Sequence, residues 1–148
     1  MKVVIQKSGP AKVEVDGKIT GEINSGLVIL LGIHNQDTQE DIEFLVEKIA
    51  NIRLFENEGK YFDKSILDEK AQALVISQFT LYASTRKGRR PDFASAAKPD
   101  IAQALYEQFI QRIEAKGIEV QTGIFGAKME VSLVNQGPIT IIIDSKDG

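Results

Sequence analysis

The sequence predicts an α+β fold in which mixed and antiparallel sheets form a partly closed barrel covered by two main helices. Three observations carry that expectation. About eight segments show strand patterns and two show helical periodicity, and the two kinds do not alternate strictly, which speaks against a doubly wound parallel sheet. Some strand-like segments follow one another across turn residues alone, as antiparallel neighbours do. The 148 residues are 43% hydrophobic and 26% charged, so one ordinary globular domain over 1–148 with no linker is expected.

"KVVIQK" opens the chain as a strand, and the connection after it, "SGPAKV", carries Pro10. "KVEVDGKITGEI" alternates apolar and polar on both sides of Asp16-Gly17, the usual signal for a two-residue hairpin turn. "GLVILLGI" is continuously apolar and bounded by glycine, as in a strand buried on both faces. A helix follows, capped by Asp37 or Thr38, with Ile42, Leu45, Val46, Ile49 and Ile52 on one face and Arg53 leaving it. "ALVISQFTLYA" is the next strong strand, and "PDFASAAKPD" is turn-rich. Pro99 suits the first turn of the second helix, whose stripe is Ala102, Leu105, Tyr106, Phe109, Ile110 and Ile113 and whose stop is Gly117. "IEVQTG", "MEVSLVN" and "ITIIID" complete the strands.

Composition narrows the chemistry. The net charge of −3 gives the chain as a whole no attraction for DNA, RNA or anionic membrane, so nucleic-acid binding has to be local. No apolar run reaches the roughly 18 residues of a membrane span, and "MKVVIQK" is too short for a signal peptide; a soluble, cytoplasmic protein is expected. Zero cysteines leave no disulfide, zinc-thiolate site or thiol nucleophile. His34 is the only histidine, so a two-histidine metal site cannot form and a Ser-His-Asp triad would have to pass through this one residue. Its position in "LLGIHNQDT" reads as a strand-to-helix loop. Glu40/Asp41 and Glu56/Glu58 fall at a helix start and in a turn, where solvation and the helix dipole account for them. No glycine-rich phosphate loop appears, and no cofactor or metal is expected.

Three stretches remain. In "SQFTL" (77–81), Ser77, Gln78 and Thr80 are polar groups in an apolar strand pattern, and burying such groups unpartnered costs about 1 to 3 kcal/mol. They either make structural hydrogen bonds or line a polar pocket; a hydroxyl nucleophile would need a base, and none is in view. In "TRKGRR", Arg86, Lys87, Arg89 and Arg90 place four cations within five residues, as a solvated loop or as a grip on phosphates. In "NQGPIT" (135–140), Gly137-Pro138 interrupts a strand pattern, as a tight turn or as a backbone feature with its own task.

Taken together, "SQFTL", "TRKGRRPDF" and "NQGPIT" resemble the D-aminoacyl-tRNA deacylase family of chirality-editing enzymes, and the likeness runs nearly end to end. The resemblance implies a homodimer with active sites at the interface, tRNA as partner, and hydrolysis of the ester that joins a D-amino acid, or glycine mischarged on alanine tRNA, to the tRNA 3′ end. It implies that Ser77, Gln78, Phe79 and Thr80 form the catalytic pocket, with an oxyanion donor at the N–H near Phe79. It implies a cis Gly137-Pro138 peptide whose carbonyls enter the partner's pocket and exclude L-amino acids. The tRNA's own 2′-hydroxyl would assist the water, Thr80 would position rather than attack, and Arg86, Lys87, Arg89 and Arg90 would meet tRNA phosphates. The preferred D-amino acid does not follow from the sequence.

Departures from the family pattern stand beside the match. Lys7 occupies a position where an arginine that fixes the Gly-Pro segment is expected, and lysine cannot reproduce a forked guanidinium contact. "GKYFDKSILD" (59–68) lacks the methionine-asparagine pair common there. Two other classes compete: an editing enzyme of the same fold acting on an L-amino acid mischarge, and an RNA-binding module without catalysis. The second needs exposed stacking aromatics, of which Phe79, Tyr82 and Phe93 are the candidates near the basic loop.

Overall fold

The computed structural model describes residues 1–147, and the sheet is organised around one long strand, β1 (Lys2–Val15). Along one edge of β1 run β2 (Lys18–Ile23) and then β3 (Gly26–Gly32), both antiparallel to it. The other edge of β1 carries β8 (Glu130–Asp144), also antiparallel. Beyond β3 lie β6 (Gln72–Ser77) and β7 (Val120–Thr122), joined in parallel. The sheet curls until β2 meets β7. A Cβ at Gly21 would lie 2.2 Å from the Thr122 carbonyl oxygen, so only glycine admits this approach. The expected α+β, nearly closed barrel is therefore what forms.

The Asp16-Gly17 hairpin is present, with φ of 51° and 76° as a two-residue turn of that hand requires. Three expectations about strand limits are corrected. Ser8-Gly9-Pro10 is not a connection but part of β1; the register against β8 shifts between Gln6 and Ser8 and again between Ser8 and Ala11, leaving Pro10 where its missing N–H breaks no ladder bond. The strand at "ALVISQFTLYA" stops at Ser77 and continues as a 3₁₀ turn, Phe79–Tyr82. "MEVSLVN" and "ITIIID" are the two halves of β8, not two strands about a turn. Also unforeseen are a hairpin of β4 (Phe55–Asn57) and β5 (Lys60–Lys64) and a one-turn helix α2 (Ile66–Glu69), all too short to show a period.

Two helices cover one face. In α1 (Gln39–Asn51) the Asp41 carboxylate accepts the Thr38 N–H at 2.8 Å, and Ile42, Leu45, Val46 and Ile49 are buried as the periodicity requires. In α3 (Pro99–Ala115) the buried stripe is Ala102, Tyr106, Phe109 and Ile113. These side chains pack with Val3, Ile5, Leu27, Ile29, Leu31 and Val75 in the main core. Tyr106 donates its hydroxyl to the Val75 carbonyl at 2.9 Å, pinning α3 to β6, and its burial pushes the phenol up to about 12. Alternate residues of the same strands, Val28, Leu74 and Ile76, face the other way into a second core with Val13 and Ile23. No helix among the described residues is long and apolar enough to cross a membrane.

Candidate active site

Ser77 is the last residue of β6 and pairs with Leu31 of β3. Gln78 keeps one more ladder bond, its N–H donating to the Leu31 carbonyl at 2.8 Å, before the chain turns away. At this corner a cavity of about 620 Å³ opens, lined by Ser77, Gln78 and Phe79 together with Phe93, the Ala96–Pro99 approach to α3, Met129 just before β8 and Val131 within it. Such a volume suits a small organic group, and the lining is mostly apolar with a few polar atoms. Phe79 meets Phe93 edge to face at 4.9 Å, which holds the two walls of the mouth together.

The polar groups of "SQFTL" are therefore not sealed in a strand interior. Ser77 and Gln78 are half-buried, and Thr80 is exposed and lies outside the cavity lining. The Gln78 amide donates to the Thr80 hydroxyl oxygen, so Thr80 meets the site through Gln78. The first hydrogen bond of the 3₁₀ turn runs from the Leu81 N–H to the Gln78 carbonyl. The Phe79 and Thr80 N–H groups precede it and are left unclaimed by the turn itself.

His34 takes no place in this lining. Its Nδ1 accepts the Gln36 N–H at 3.2 Å and its ring meets Tyr82 edge on at 5.1 Å, so it shapes the loop before α1, as its sequence context indicated. The basic loop leaves the site on one side and returns on the other. Ser84 and Asp92 exchange both backbone bonds, at 2.7 and 2.9 Å, and hold its base closed between the 3₁₀ turn and Phe93. Arg86, Lys87, Arg89 and Arg90 are all exposed on the tip.

Gly137-Pro138 is a cis peptide on an outward bulge of β8. Thr140 pairs with Gln6 and Asn135 with Ser8, so residues 136–139 stand opposite Lys7 alone. Gly137 holds φ +115°, and a Cβ there would lie 2.6 Å from Ile139 Cγ1. The bulge is braced by its own flank: Asn135 Oδ1 accepts the Ile139 N–H at 3.2 Å, while its amide donates to the Thr140 hydroxyl oxygen at 2.9 Å. Lys7 places its ammonium 5.5 Å from the centre of the Phe55 ring. Gly137 and Pro138 are exposed and do not line the cavity of their own chain. They lie six and seven residues beyond Val131, up to about 20 Å farther along the strand.

Lys98 and Asn135 are among the residues at these sites that escape sequence reasoning. Lys98 reaches the cavity only because α3 begins there, and nothing in "AAKPD" marks it. Asn135 braces the bulge through bonds four and five residues on, and its place two residues before Gly137 was the available signal.

A family model described as D-Tyr-tRNA(Tyr) deacylase matches residues 4–144. The chain is 55% identical over 146 residues to the D-aminoacyl-tRNA deacylase of Bacillus cytotoxicus, covering 99% of this chain and 100% of that one. It is 54% identical over 147 residues to the enzyme of the same name from Aquifex aeolicus, covering 99% of each. Among solved structures, one titled c-Myc DNA unwinding element binding protein superposes with a TM-score of 0.91 at 38% identity, over 97% of this chain and 98% of that one. Another, titled a probable eukaryotic D-amino acid tRNA deacylase, shares the fold with a TM-score of 0.80 at 17% identity, over 96% and 97% of the two chains.

Proposed function

The chain belongs to the D-Tyr-tRNA(Tyr) deacylase family, and from that premise we propose a homodimeric editing hydrolase in which each pocket is completed by the partner's Gly137-Pro138 segment. The protein is a D-aminoacyl-tRNA deacylase, and its substrate partner is aminoacyl-tRNA. The whole chain, 1–148, acts as one editing domain in the cytoplasm, without metal or cofactor.

The observation that carries the mechanism is the lining of the 620 Å³ cavity: among the described residues that form it, Lys98 is the only charged side chain and none is a histidine or carboxylate. A site of this kind works by holding an already activated ester and stabilising the tetrahedral oxyanion. Ser77 and Gln78 hold the terminal adenosine and the ester, the Phe79 N–H donates to the oxyanion, and Thr80 steadies Gln78. The attacking water gives a proton to the 2′-hydroxyl oxygen of the terminal ribose, which passes its own proton to the 3′ oxygen as the ester C–O bond breaks. The tRNA keeps both hydroxyls, and the amino acid leaves as a carboxylate once its acid proton goes to solvent.

Selectivity comes from main chain. With no Cβ at residue 137, the carbonyls of Gly137 and Pro138 approach the α-carbon of the bound amino acid and leave room for hydrogen or a D side chain only. Glycine on alanine tRNA is then also a substrate. Their distance from their own cavity supports action on the partner's pocket. So does β8 itself: among the described residues its far edge carries no strand, and Val134 and Ile142 are 57% and 66% exposed along it. The basic loop, hinged between two cavity walls, meets phosphates of the acceptor end.

One assay tests the reading: purified protein with D-tyrosyl-tRNA, L-tyrosyl-tRNA and glycyl-tRNA on alanine tRNA. Rapid release of D-tyrosine and glycine with L-tyrosine spared is expected. Release of L-tyrosine at a comparable rate would sink the gate, and tRNA binding with no release would sink the hydrolase.

A further inference from the structure

We infer that Lys98 is a positioning residue of the deacylation site, its ammonium receiving the phosphate that links the terminal adenosine to the nucleotide before it. This rests on the reading that the ester is cleaved in the cavity at Ser77–Phe79.

Lys98 is the one formal charge among the described residues that line that cavity. None of the ion pairs among the described residues involves it. It also stands where helix physics disfavours it. Lys98 is the N-cap residue of the 17-residue α3, and its side chain makes no capping bond. Serine, threonine, aspartate or asparagine would serve there, and a cation opposes the positive end of the helix dipole. A residue that breaks a local rule without local gain is expected where function requires it.

The substrate decides which of its groups the ammonium meets. An aminoacyl-tRNA end brings one cation, the α-amine, and a chain of phosphates. A lysine at the mouth repels the first and attracts the second, so the amino acid lies toward Ser77 and Phe79 and the nucleotide lies toward Lys98. Lysine serves here as a point charge on a long stem, without the planar demand of an arginine fork.

The test compares two substrates that differ in the phosphate: D-tyrosyl-tRNA, and D-tyrosyl-adenosine followed as substrate or as competitive inhibitor. Lys98→Met should raise KM for the tRNA about fivefold with kcat within about twofold. It should also flatten the dependence of log KM on log salt by about 0.7, the share of one single-strand phosphate. Lys98→Arg should restore both, and D-tyrosyl-adenosine should be handled alike by every variant. Lys98→Ser should raise KM as the methionine does while raising Tm, because it supplies the missing cap. An equal effect on both substrates, no effect on either, or a lower Tm with unchanged KM for Lys98→Ser would overturn the assignment. Ala97→Trp, which fills the cavity, separates the two levels: full activity in that variant would overturn the location of the site itself, and the role of Lys98 with it.

Discussion

The end of β6 and the bulge within β8 present opposite kinds of surface. At Ser77, β6 gives way to a concave, mostly apolar cavity whose walls come from four separate stretches of chain. At Gly137-Pro138, β8 swells into a convex, exposed bulge held by a single neighbour, Asn135. The cavity has shape and a mostly apolar lining with few polar side chains. The bulge has rigidity and projecting main chain without anything to act on. On the proposed reading each supplies what the other lacks, and within one copy neither Gly137 nor Pro138 lines the cavity.

The largest expected effect comes from separating the two regions onto different chains. Gly137→Ala puts a Cβ 2.6 Å from Ile139 Cγ1 at a φ of +115°, and relieving roughly 2 kcal/mol of such strain should move the bulge and lower selectivity for D over L about 30-fold. Ala97→Trp should block the cavity and remove turnover by about 100-fold or more. A hybrid dimer of one Gly137→Ala copy and one Ala97→Trp copy, purified through two tags, is the decisive sample. If gate and pocket come from different copies, the hybrid has one intact site and recovers D-selective turnover near half that of the wild-type dimer. A hybrid that turns over with the lowered D-over-L selectivity of the Gly137→Ala dimer, or a wild-type chain that sediments as a monomer, would break the comparison.

A smaller effect concerns what the cavity's rim adds. Replacing Arg86, Lys87, Arg89 and Arg90 by glutamine should raise KM for D-aminoacyl-tRNA about tenfold at moderate salt and leave kcat at saturation intact. The slope of log KM against log salt should fall by up to about 3, since each phosphate contact on a single strand contributes about 0.7. An unchanged slope would return the loop to plain solvent and leave tRNA binding to the cavity and Lys98.

Periodicity made both main helices and the buried β3 legible, because burial of one face imposes it on the residues. It could not show where β6 stops. "LVISQFTLYA" keeps β-branched and aromatic residues past Ser77, and only the packing at Gly32, where a Cβ would come within 2.9 Å of Leu81 Cβ, shows how closely the turned chain lies against β3. Pro10 and Pro138 misled for a shared reason. Pro10 reads as a connection and Gly137-Pro138 as either a turn or a backbone feature, because a residue without an N–H resembles a strand boundary, whereas each sits at a register shift of a pair that continues. The candidate site was visible in its motifs through family resemblance. Its third wall was not, because Lys98, Phe125 and Met129 join the cavity through tertiary packing and carry no local pattern.

The smallest effect falls on Thr80, a hydroxyl in the pocket motif that the family resemblance makes a positioning residue and not a nucleophile. Its hydroxyl oxygen already accepts the Gln78 amide, it is exposed, and no histidine or carboxylate lines the adjoining cavity to take its proton. An alcohol in that setting stays protonated near neutral pH and attacks slowly. On the proposed reading it holds Gln78 in one rotamer, and losing one such hydrogen bond costs about 1 kcal/mol, or roughly fivefold. Thr80→Ala should therefore keep kcat within about tenfold of wild type, Thr80→Ser should be close to unchanged, and neither should accumulate or lose an acyl-enzyme burst. Loss of all turnover in Thr80→Ala, with folding and tRNA binding intact, would make Thr80 the nucleophile and would move the chemistry from the cavity's main chain to a side chain at its mouth.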